Sequence, residues 1–126
     1  MLISNSNDNI SYRYQLIAQH NQEQLMDPSE EWVHYLQDHR DLIREHSTKI
    51  AVNETNMNLY RYRPRKFLAA AGVQEELELA FIVVNRIGDN MNFTEQNYEY
   101  VYVPDYNYIF DLRRMYVTLK YQEEDL

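Results

Sequence analysis

Cysteine is absent from the chain, which excludes a disulfide framework, a zinc–thiolate site and a thiol nucleophile. Glycine is nearly as scarce, with 2 in 126 residues, so no glycine-rich loop can be built to cradle a phosphate. No apolar run approaches the roughly 20 residues that a membrane-crossing helix needs. The opening Met-Leu-Ile-Ser-Asn lacks the basic flank and apolar stretch of a secretion signal, so neither export nor a membrane partner is expected. Positive charge is also short. Lysine and arginine total 12 against 20 acidic residues, a net charge of −8, which argues against a surface tuned to nucleic acid or anionic lipid.

What the chain does contain is tyrosine, 12 residues against 4 phenylalanines. Tyrosine suits surfaces that are half buried and half wet, as protein interfaces are. The hydrophobic fraction of 44% supports one modest core, and the length fits one domain with an appendage.

The appendage is residues 1–26, an N-terminal arm that opens with a polar Asn/Ser-rich stretch. Ile10 to Leu16 alternates like a strand, yet Ile10, Tyr14 and Ile17 also fit helical spacing, and periodicity leaves both readings open. Residues 27–126 form the domain. Asp27, Pro28 and Glu30–Glu31 start a helix by capping, by a preset φ and by complementing the helix dipole. Trp32, Leu36, His39, Ile43 and His46 give it one stripe as far as about Ser47. Residues 47–58 read as a connection. At the other end Asp105 caps a last helix with Ile109, Leu112, Met115, Tyr116 and Leu119 on its apolar face.

The central block is residues 59–104. Leu59-Tyr60-Arg61-Tyr62-Arg63 alternates with period two and stops at Pro64, as a short half-buried strand would. Pro64 suits the first turn of a helix closed at Gly72, and a second helix from about Gln74 to Ile87 stops at Gly88. Tyr98 to Val103 is the closing strand, ended by Pro104.

This βααβ order, with its Val-Pro-Asp ending, resembles the LysM fold. The chain as a whole resembles the LysM-like baseplate wedge proteins of contractile-tailed bacteriophages. That resemblance implies an α+β fold, a LysM-like βααβ unit with a two-stranded antiparallel sheet flanked by an N-terminal and a C-terminal helix. It also implies a virion structural role, assembled in the host cytoplasm, with other baseplate or tail proteins as partners. Glycan-binding LysM domains commonly carry Gly-Asp-Thr/Ser in the first loop. Arg63-Pro64-Arg65 stands at that place in this reading, so glycan binding is not expected, and a peptidoglycan- or chitin-binding module is the alternative.

Candidate chemistry is thin. His34, His39 and His46 are spaced by five and seven, so no helical ligand pair at three or four exists and no metal is expected. Glu75, Glu76 and Glu78 crowd one first turn, where the helix dipole accounts for them. No catalytic residue and no cofactor is expected. Arg61, Arg63 and Arg65, interleaved with Tyr60 and Tyr62, make a basic cluster suited to an acidic protein partner rather than to nucleic acid. With Tyr12 and Tyr14 of the arm, these five residues are the expected interface.

Overall fold

The structure is a computed structural model and describes residues 24–124; Tyr12 and Tyr14, and with them most of the arm, lie outside the described residues. Among the described residues the architecture is α+β, with six α-helices and one two-stranded antiparallel sheet. Helix α1 spans Glu30–Asp38 and α2 spans Arg40–Glu45. Strand β1 is Ser47–Ala51, followed by α3 at Glu54–Tyr60, α4 at Pro64–Ala70 and α5 at Glu78–Val84. Strand β2 is Tyr100–Pro104, and α6 runs from Tyr106 to Glu124.

Helix α5 organises the interior. Its sequence ELAFIVV is apolar on nearly every side, and a helix of that kind must be covered all round. Ala80, Val83 and Val84 pack with Trp32, Leu36, Ile43, Ile109 and Leu112. Phe81 faces the opposite way, into a second cluster with Met57, Phe67, Phe93 and Val101. The packed body also takes in Leu25, fully buried, whose carbonyl accepts from Trp32 Nε1 at 3.1 Å.

The first strand is a correction. Residues 59–63 are not a strand, and residues 47–51 are not a connection: β1 pairs with β2 from Ser47↔Pro104 to Ala51↔Tyr100. The helix wins at 54–60 because Asn53 and Asn56 form a reciprocal capping box, each side chain satisfying the other residue's backbone N–H. Met57 is then fully buried. Pro64 excludes its predecessor from helical backbone, so the apparent alternation at Tyr60–Arg63 is a helix end and a corner. The sheet-bounded block therefore runs from 47 to 104 and holds three helices rather than two.

The helix ends also differ from expectation in part. Gly72 does close α4, at φ +76. Gly88 has no positive φ; Arg86 takes the left-handed position at φ 55 instead. The reason is where the helical hydrogen bonds stop. Ile87 N–H donates back to the Ile82 carbonyl at 2.9 Å and Arg86 N–H to Val83 at 3.2 Å, a closure complete two residues before Gly88. The stripe from Trp32 to His46 is likewise two helices, interrupted at His39.

Candidate interaction surface

The α3–α4 corner carries the basic cluster read from the sequence, now on a helix end rather than a strand. Arg61 makes a two-pronged pair with Glu95, Nε to Oε2 at 3.1 Å and Nη2 to Oε1. That fork holds Glu95 below the ordinary carboxylate range, through the Arg61 hydrogen bond first. Arg65 bridges Glu78 at 2.8 Å and Glu75 at 3.5 Å. Tyr60 turns inward against Phe67, with ring centroids 6.0 Å apart. Tyr62 and Arg63 remain exposed. Of the five residues of this cluster expected at an interface, the structure thus leaves two fully outward and fastens Arg61 and Arg65 to acids of the same chain.

Tyr62 sits at φ 66, a left-handed conformation that is unusual for a bulky residue. Its N–H donates to the Phe93 carbonyl at 2.9 Å and Arg63 N–H to Tyr60 at 2.8 Å, which holds the corner. Leu59 beside it is 68% exposed. A second apolar patch lies on α6, where Met115 and Leu119, one turn apart on one face, stand exposed. The inward side of the same helix is docked: Arg113 reaches Asp27 at 3.2 Å and lies over the rings of Trp32 and Tyr116. Burial raises the Asp27 pKa, but the Ser29 amide and hydroxyl together with Arg113 outweigh it and hold the carboxyl below its ordinary value.

A third region was not singled out by the sequence. Asn85, buried at the end of α5, donates to the carbonyls of Phe81 and Tyr102 and accepts from Tyr102 N–H, all within 2.9 Å. It thereby ties the end of α5 to the edge of β2. Around this knot lie Arg40, whose Nε donates to the Val83 carbonyl at 2.9 Å, Arg44, stacked over Tyr102, and Arg86. Arg40 and Arg44, four apart on one helix, were readable as a pair; Arg86, over forty residues away, carries no sequence signal linking it to them.

The histidines serve local packing. His39 Nδ1 lies 2.7 Å from the Tyr35 carbonyl, and His46 stacks on Tyr108 at 4.0 Å between centroids. Among the described residues no group of three or more His, Cys, Asp or Glu side chains could hold a metal ion, and no helix is long and apolar enough to cross a membrane. No family model, no curated protein and no solved structure matches the chain.

Proposed function

We propose that this chain is a non-catalytic structural subunit of a contractile phage tail baseplate, joining neighbouring subunits by protein–protein contacts. The observation that carries the reading is the α3–α4 corner, where an exposed tyrosine is held at positive φ beside a largely exposed leucine. Strained backbone of this kind persists where surrounding contacts enforce it and is concentrated at functional positions. Together with the apolar array on α6, it supplies two separated surfaces, as a subunit that bridges neighbours needs. The antiparallel pairing of the two strands agrees with the LysM-like expectation, although the first strand is Ser47–Ala51 and three helices, not two, lie between the strands. The residues following β1 are Val52-Asn53-Glu54-Thr55, and Asn53-Glu54-Thr55 falls where the glycan-binding family carries Gly-Asp-Thr/Ser.

The polar loop after β1 favours a second reading, a peptidoglycan- or chitin-binding LysM module, because it occupies the place at which the sequence reading puts Arg63-Pro64-Arg65. Val52 N–H donates to the Glu99 carbonyl at 2.9 Å, which extends the strand pairing to the start of that loop.

The test pairs two measurements. Tail particles assembled with Tyr62→Gly should incorporate the chain poorly, while the purified variant keeps or gains thermal stability because glycine accepts the left-handed backbone. Normal incorporation would remove the corner from the interface. Retention of the wild-type chain on insoluble peptidoglycan in high salt, where charge attraction is screened, would place the glycan reading first.

A further inference from the structure

Three guanidinium groups gather where α5 ends. Arg40 donates to Val83, the last residue but one of that helix. Arg44 stands one helical turn beyond Arg40 on the same side of α2, with its guanidinium 5.4 Å from the centre of the Tyr102 ring. Tyr102 is bonded on both its N–H and its carbonyl by Asn85, and the next residue in the chain is Arg86. One helix, one helix terminus and one strand edge thus bring three like charges to a single corner of a chain whose net charge is −8.

Within the fold these charges are poorly answered. Arg44 is paired with Asp41 at 4.0 Å, on a largely solvent-exposed carboxylate, an arrangement of little energetic weight. Arg44 Nε is buried and has no hydrogen-bond partner. Burial and then the charges of Arg86 and Arg44 hold the Arg40 pKa below its ordinary value. Arg86 is exposed and occupies a left-handed position that glycine would fill without strain. The fold carries mutual repulsion, an unused donor and a strained residue at one place. A bound anion would answer the repulsion and account for an arginine at the strained position.

We propose that Arg40, Arg44 and Arg86 form a receptor for carboxylates, which docks an acidic segment of a protein partner. Guanidinium forks match carboxylates two bonds at a time. Nucleic acid fits the corner less well. Sequence-independent single-strand binding uses open aromatic faces for base stacking, whereas Tyr102 is covered by Arg44 and Tyr100 by the Lys49 ammonium, 3.9 Å from its ring centre. The acidic remainder of the chain would also repel a long polyanion. The receptor rests on the assembly reading only in that its partner would be a neighbouring subunit.

A fluorescein-labelled Glu/Asp peptide, titrated by anisotropy into the full chain at low salt, is the direct test. Arg40→Gln with Arg86→Gly should weaken binding about tenfold, the scale of losing fully engaged arginine contacts. Arg63→Gln with Lys66→Gln removes the same charge from the α3–α4 side and should change affinity by less than about twofold, as a remote screened charge does. Arg86→Gly alone serves as the fold-preserving variant, because it removes the guanidinium and relieves the backbone together; it too should weaken binding. Equal losses from both double variants, or none from Arg86→Gly, would overturn the receptor. Tighter binding of an oligothymidylate of equal charge would assign the corner to nucleic acid and overturn it as well. Peptide binding lost while incorporation into tail particles is unchanged would keep the receptor and separate it from the assembly reading.

Discussion

The ends of α4 and α5 are closed by the same pair of backbone bonds, yet one uses glycine and the other arginine. At the first, Val73 N–H returns to Leu68 at 3.0 Å and Gly72 N–H to Ala69 at 3.1 Å. At the second, Ile87 returns to Ile82 and Arg86 to Val83. Both C-terminal residues are left-handed, at φ +76 and φ 55. A side chain in that conformation costs about 1 kcal/mol relative to glycine, so the second end is less stable than its geometry allows. The difference fits the proposed receptor, in which the charge of Arg86 is used. Gly72 ends a helix, whereas Arg86 ends a helix and also holds a guanidinium beside Arg40 and Arg44.

Several substitutions break or sharpen this contrast. The largest effect is expected from Asn85→Ala, next to Arg86. It strands the Tyr102 N–H and carbonyl, while the Phe81 carbonyl keeps the Asn85 backbone N–H, and should cost about 3 kcal/mol in chemical denaturation, the penalty of unsatisfied polar groups withdrawn from water. No comparable side-chain knot stands beside Gly72, so the second end is held by Asn85 despite its strain.

Next comes Asp27, which fastens α6 far from both ends. Asp27→Ala leaves Arg113, whose side chain is 7% exposed, without its carboxylate and should cost about 2 kcal/mol, less than a fully buried pair because the Trp32 and Tyr116 rings still face the cation. Its pH dependence follows from a folded-state pKa below the ordinary aspartate value of 3.8. The stabilisation is complete above the unfolded pKa and is lost as pH falls through the lower folded value. Acid titration of wild type and Asp27→Asn by circular dichroism should therefore separate near neutrality and converge as pH falls through the lowered folded-state value.

The helix ends themselves give the smaller effects, of opposite sign. Gly72→Ala should destabilise by about 1 kcal/mol through backbone strain alone, since a Cβ there meets nothing within 4 Å. Arg86→Gly should stabilise by about 0.5–1 kcal/mol, less the greater freedom of glycine in the unfolded chain. If both substitutions destabilise equally, the contrast between the two ends has no basis in backbone strain.

Much of this fold was legible where punctuation and periodicity agreed. Pro64 and Gly72 bracket α4, and the alternation of Val101 and Val103 with Tyr100 and Tyr102 marks β2. Asp105 was also readable as a cap, and its carboxylate accepts from Tyr108 N–H at 3.0 Å. The first strand was hidden because period-two alternation in Leu59–Arg63 is also what a helix end leading into a proline produces. The Asn53–Asn56 box that decides for helix differs from the usual Ser/Thr-to-Glu/Gln pattern. The interface residues were legible only as types. Their availability depends on Glu95, Glu75 and Glu78, which lie up to 34 residues away, and side-chain pairing at that range leaves no periodic trace.

The most direct test sets Arg86→Gly against Arg61→Gln, one arginine from each region, and reads thermal midpoint and acidic-peptide affinity on both. The account predicts a crossed result. Arg86→Gly should raise the midpoint by about 2–4 °C and lose peptide affinity, while Arg61→Gln, which breaks the Glu95 fork, should lower the midpoint and keep affinity. If Arg86→Gly lowers the midpoint and binds the peptide as wild type does, Arg86 is a structural cap and the division between an internally fastened and an outward-facing arginine group is wrong.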